Sequence, residues 1–131
     1  MTTPASPPAA RRILVVDDDK FINRSLVRSF ARSGCQAVSA FDGREALEQL
    51  AHDEFDGVLL DLKMPVEDGF AVLAKRQATR NATTPVYVLT SVGQEDDIAR
   101  ARKLGVKDIF VKSETSPSTV VNLVCSAARG A

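Results

Sequence analysis

Four short apolar runs in this chain are each followed at once by polar residues of chemical interest: Asp17-Asp18-Asp19, Asp61, Thr90-Ser91 and Lys112. Charges at single strand ends are common and mostly solvated, but converging on one sheet edge they make a site. Carboxylates brought together repel and raise one another's pKa unless a cation sits between them. Oxygen donors without His or Cys suit a hard ion, and Mg²⁺ fits best because it takes one or two carboxylates and keeps its waters. A carboxylate can also act as a nucleophile and form an aspartyl-phosphate. Phosphoryl transfer then asks for positioning and charge neutralisation. Lys112 offers a compact positive charge and Thr90 a hydroxyl, while small Ser91 leaves room for the incoming group.

The elements that must position these residues alternate from residue 11 onward. Ile13-Leu14-Val15-Val16, Gly57-Val58-Leu59-Leu60, Val86-Tyr87-Val88-Leu89 and Ile109-Phe110-Val111 are short apolar runs that read as strands buried on both faces. Gln36-Ala37-Val38-Ser39 is weaker and reads as an edge strand. Between them, helical spacing gives inward faces of Ile22, Leu26 and Phe30; Ala46, Leu47 and Leu50; Phe70, Leu73 and Ala74; and Ile98, Ala101 and Leu104. Asp42 is placed to cap the second helix, and Gly34 and Gly105 to end the first and fourth. A last helix starts with Ser116 as cap and Pro117 in its first turn, with Val120, Val124 and Ala127 or Ala128 inward. The pattern is an α/β (βα)₅ domain, a parallel sheet with helices on both faces. In such sheets function collects at the carboxyl ends of the strands, where the four polar segments fall.

The bulk composition narrows the function classes. With 131 residues one domain is expected, covering 11–131 after a flexible extension over 1–10 that is rich in Thr, Pro, Ala and Ser. Lys+Arg and Asp+Glu both number 17, which argues against a nucleic-acid surface spread over the whole domain. No apolar run approaches a membrane span or a signal-peptide core, so the expectation is cytoplasmic, with no membrane partner. Cys35 and Cys125 have no CxxC spacing and are expected to be two reduced thiols.

The strings Val15-Val16-Asp17-Asp18-Asp19, Asp61-Leu62-Lys63-Met64-Pro65 with Asp68-Gly69, Leu89-Thr90-Ser91 and Phe110-Val111-Lys112 resemble the receiver domain of two-component response regulators. The resemblance runs in order over about 120 residues; each string alone is weak and the set is specific. It implies a flavodoxin-like sheet of strand order 2-1-3-4-5. It also implies a signalling switch rather than a metabolic enzyme, one that promotes only its own phosphorylation and dephosphorylation. Asp61 would be the phosphoacceptor, supplied by a phosphohistidine on a histidine kinase or histidine phosphotransfer protein. Asp18 and Asp61 would bind Mg²⁺ directly, Asp17 chiefly through water, and the backbone carbonyl of Lys63 would be a further ligand. Thr90 and Lys112 would bind phosphoryl oxygens. Since the chain ends just after the fifth helix, the expected output is binding to an unknown downstream protein, or passing the phosphoryl group onward in a phosphorelay, with a fragment of a longer regulator as the alternative.

Two positions depart from the family pattern. Ser113 stands where proline commonly follows the lysine through a cis peptide, so the loop is either strained or trans and differently shaped. Ile109 stands where an aromatic residue typically rotates inward, and Phe110 should point to the opposite face. The expectation is activation through loop movement near Thr90 without an aromatic relay. These departures leave open a degenerate receiver that serves only as an interaction module. A haloacid-dehalogenase-type phosphohydrolase is the enzyme alternative, but Phe21 stands where that family needs Thr or Val. Asp19 reads as a helix cap, Lys63 as a surface lysine or one hovering over the phosphoryl group, and Val92 as a possible influence on water approach. Arg24, Arg28 and Arg32 form a basic stripe that is either solvated or a kinase docking face, and His52 stands alone.

Overall fold

The computed structural model describes residues 11–91 and 94–128; the expected N-terminal extension and Val92 lie outside the described residues. Five strands, β1 (Arg12–Val16), β2 (Gln36–Ala40), β3 (Gly57–Leu60), β4 (Val86–Thr90) and β5 (Asp108–Val111), alternate with α1 (Lys20–Arg32), α2 (Gly43–His52), α3 (Gly69–Lys75), α4 (Glu95–Lys103) and α5 (Pro117–Ala128). A single 3₁₀ turn, Arg76–Ala78, follows α3. The strands are parallel in the order β2-β1-β3-β4-β5, as expected.

Strand alternation divides the interior into two layers. Leu14, Val16, Val58, Leu60, Val86 and Val88 face α2, α3 and α4, where Ala46, Leu50, Phe70, Val72, Leu73 and Ala101 meet them. Ile13, Val15, Leu59, Tyr87 and Leu89 face α1 and α5 and pack on Leu26, Phe30, Val120, Val121 and Val124. Each fully buried large side chain contributes about 1.5–3 kcal/mol, so both layers are needed to offset chain entropy. Asp19, Asp42 and Asp68 cap α1, α2 and α3 by accepting from the N–H groups of Ile22 (3.0 Å), Glu45 (2.8 Å) and Ala71 (2.9 Å). Gly34 and Gly105 end α1 and α4 at φ 88°, the left-handed position expected of them.

Several inward faces differ from expectation. β5 is an edge strand, so Ile109, Phe110 and Val111 are only half-buried. Ile109 and Phe110 do face opposite layers. Val72 is buried and Ala74 exposed, because the short α3 turns a wider stripe inward than Phe70 and Leu73 alone define. In α5, Val121 and Cys125 join Val120 and Val124, and Ala127 is exposed.

The cysteines are the main correction. Cys35 and Cys125 are joined in a disulfide, with Cα atoms 6.2 Å apart, and are not free thiols. They are 90 residues apart in sequence. Cys35 lies between the end of α1 and the start of β2, while Cys125 lies on the buried face of α5. The adjacency of α1 and α5 brings them together, and no local spacing could announce that.

Candidate functional site

Register assembles the site. Val16 pairs with Leu60, so Asp17 and Asp61 leave neighbouring strands side by side. The N–H of Asp61 bonds the Val16 carbonyl (2.9 Å), and that of Asp17 the Ala40 carbonyl (3.2 Å). On the other side Thr90 pairs with Val111, and the N–H of Lys112 bonds the Thr90 carbonyl at 2.7 Å. The four polar segments therefore surround the carboxyl end of β3.

Carboxylate oxygens of Asp17, Asp18 and Asp61 lie within 4.8 Å of one another. Asp17 and Asp61 are buried, and Asp18 is exposed. The Lys112 ammonium bridges the two buried acids, 3.0 Å from Asp17 Oδ2 and 3.3 Å from Asp61 Oδ2. Asp17 Oδ1 accepts from the Asp19 N–H (2.9 Å), and Asp61 Oδ1 from the Lys63 N–H (3.3 Å). Burial pushes the Asp17 carboxyl above its ordinary value, against the opposing pull of the Asp19 N–H and Lys112. Burial acts to lower Lys112, but Asp17 and Asp61 outweigh it and its pKa is raised. The two shifts differ because the carboxylate is the more deeply enclosed partner, with a side chain 4% exposed against 23% for the lysine.

Three carboxyl groups face one ammonium, so acidic groups outnumber the basic one in the cluster. Oxygen donors alone, two of them anchored and one open to solvent, fit a hard divalent cation. His52 is exposed and no part of this group. Thr90 is buried at the end of β4, and Ser91 beside it is exposed.

The segment after Asp61 folds closely over it. Gly69 donates its N–H to the Leu62 carbonyl (2.9 Å). A Cβ at residue 69 would lie 2.5 Å from the Asp61 carbonyl oxygen and 2.7 Å from Leu62 Cα, so glycine alone permits this approach. Lys63 is exposed, as its surface reading has it, and its ammonium lies 3.7 Å from Asp97 of α4 rather than over Asp61. The Lys112–Ser113 peptide is trans, the second of the two expected forms, and the lysine still reaches both carboxylates. Arg24, Arg28 and Arg32 are exposed, as a basic stripe requires.

Sequence reasoning missed Asn23, which is fully buried beside this site. It shares the inward row of α1 with Leu26 and Phe30, while Ile22 is only partly buried. An amide at an inward helical position was the available signal, since a buried amide must find partners.

A doubly wound parallel sheet with an acid cluster and a lysine at its carboxyl edge defines a flavodoxin-like domain with an acidic site at the strand ends. The family model of the response regulator receiver domain matches residues 13–124, and the chain belongs to that family. It is 39% identical over 101 residues to the transcriptional regulatory protein PrrA of Mycobacterium tuberculosis, covering 77% of this chain and 43% of that protein. The chain thus spans less than half of that relative's length. Among solved structures, it is similar to the chemotaxis protein CheY4 of Vibrio cholerae (TM-score 0.81, 26% identity, 88% of this chain and 97% of that one). It is similar also to the phosphorylated cyanobacterial phytochrome response regulator RcpA (TM-score 0.76, 29% identity, 91% of each chain). The receiver family is one of signalling switches, not metabolic enzymes. No helix among the described residues is long and apolar enough to cross a membrane.

Proposed function

We propose that this domain is a phosphoacceptor switch in which Asp61 takes a phosphoryl group from a phosphohistidine on a histidine kinase or histidine phosphotransfer protein. A carboxylate oxygen of Asp61 attacks phosphorus, the bond from phosphorus to imidazole nitrogen breaks, and the imidazole leaves with that electron pair. Asp18, Asp61 and the Lys63 carbonyl would hold Mg²⁺, with Asp17 acting through water. When bound, the ion neutralises charge on the transferring oxygens. Lys112, held by Asp17 and Asp61 before transfer, is placed to turn to a phosphoryl oxygen once Asp61 is esterified. The Thr90 hydroxyl would hold another. Output is binding to a downstream protein or onward transfer, with the exposed α1 arginines as a docking face.

The observation that carries this reading is the Lys112 ammonium bridging Asp17 and Asp61 at 3.0 and 3.3 Å. It favours a competent acceptor over a domain kept only for interaction, because a half-buried lysine shared by two acids at the strand ends is suited to binding a phosphoryl oxygen rather than to forming a contact surface. Incubation with Mg²⁺ and a small acyl phosphate, followed by intact-mass measurement, tests it. One phosphoryl group should be gained by wild type and none by Asp61→Asn. Equal labelling of both proteins would reassign the acceptor, and no labelling of wild type would leave only the interaction module.

A further inference from the structure

We infer that Asn23 is a positioning residue for the Asp17–Asp18 pair, setting how the site holds its cation; this rests on the Mg²⁺ reading above. The Asn23 amide lies 3.0 Å from the Asp17 carbonyl, 2.9 Å from that of Ala40 and 3.2 Å from that of Val15. Carbonyls only accept, so the amide nitrogen must face all three. Asn23 Oδ1 accepts from the Ser39 hydroxyl at 2.6 Å, which fixes the orientation of the amide.

The consequence reaches the metal ligands through one peptide plane. The N–H of Asp17 is tied to the Ala40 carbonyl, and its C=O is tied to Asn23, which also uses Ala40. Both sides of the Asp17 Cα are therefore clamped against the end of β2. The Asp17 carbonyl belongs to the peptide that carries Asp18, the exposed acid of the cluster. Asp18 has no hydrogen-bond or ion-pair partner among the described residues, so its aim depends on that peptide. Without the clamp the peptide can rotate, moving Asp18 relative to Asp61 while the Lys112 bridge to Asp17 persists.

A structural role for a buried asparagine would lower stability alone, and the molecule holds its own control. Asn81 is also fully buried. It bonds the carbonyls of Leu50 and Asp53 and accepts from the Phe55 N–H. These contacts lie toward the amino ends of the strands, away from the acids. The test is Mg²⁺ titration by calorimetry, beside thermal unfolding, for wild type, Asn23→Ala, Asn23→Ser, Ser39→Ala and Asn81→Ala. Both Asn23 variants should weaken Mg²⁺ binding about tenfold or more, the usual effect of removing a partner that orients a metal ligand. Ser39→Ala, which loses one orienting bond, should weaken it about threefold. Asn81→Ala should lower the melting temperature comparably and leave Mg²⁺ affinity unchanged. The inference is overturned if the Asn23 variants keep Mg²⁺ affinity within about twofold of wild type, or if Asn81→Ala weakens it as much. Should both Asn23 variants fail to fold, an unchanged affinity in Ser39→Ala overturns it. Absence of Mg²⁺ binding by wild type would instead remove the reading of the site itself.

Discussion

Reduction of the Cys35–Cys125 disulfide should be the largest single loss of stability available without changing the sequence. The cross-link closes a loop with a sequence separation of 90. In the chain-entropy description, a loop of that size removes about 15 cal/mol/K from the unfolded ensemble, or about 4.6 kcal/mol at 25 °C. For a domain of 131 residues, with an unfolding entropy of about 2.1 cal/mol/K per residue, the melting temperature should fall by roughly 15 °C. Cys35 and Cys125 are 2% and 1% exposed, so a dithiol reductant gains access only as α5 opens. The protein is therefore best reduced in denaturant and refolded in the reductant, where the disulfide becomes two thiols as the dithiol closes to its own disulfide. Differential scanning calorimetry of oxidised and reduced wild type, with thiol counting on each, measures the effect while the packing atoms stay the same. A fall of less than about 4 °C between samples verified as oxidised and reduced would refute the entropic argument. Two free thiols in protein prepared without reductant would refute the cross-link itself.

The acid cluster and the loop over it give two further predictions. Because the Asp17 pKa is raised, the native state binds its proton more tightly than the unfolded chain. That contribution favours folding at low pH and is lost as pH rises through the raised value, so ionised Asp17 is a cost at neutral pH. In metal-free protein, Asp17→Asn should raise the melting temperature at pH 7, with the gain vanishing below the ordinary carboxyl value of 3.8; a variant less stable than wild type at pH 7 would refute this. Lys112 has the complementary sign: its raised pKa stabilises fully below 10.5, and this is lost only as pH climbs through the folded value. Val66 sits 87% exposed at the tip of the loop after β3 with φ 69°, a conformation a β-branched residue adopts only under strain. Val66→Gly should add about 1 kcal/mol in chemical denaturation; no gain would show that the strain is relieved elsewhere.

Legibility varied with the range of the interaction involved. Helix caps at Asp19 and Asp42 and helix ends at Gly34 and Gly105 were readable because each is decided within a few residues. Strand and helix order were readable because hydrophobic period is local. Burial was less so: Ile109 and Phe110 look like core in sequence, but β5 has a neighbour on one side only. Asn23 was missed because its partners, the carbonyls of Val15, Asp17 and Ala40, come from two strand ends on either side of the helix.

The sequence by itself determined which residues stand at the carboxyl edge of the sheet. An acid, a threonine or a lysine at the end of an apolar run is a matter of residue type and spacing, and a parallel sheet sends all such ends to one edge. Tertiary structure alone decided what those residues do to one another. Strand register set Asp17 beside Asp61, and the trans Lys112–Ser113 loop still brought the ammonium to both. Helix packing joined Cys35 to Cys125, and the end of β2 gave Asn23 its partners. Charge neutralisation, amide pairing and cross-linking depend on distances of a few ångströms, and between segments far apart in the chain only the fold sets those distances.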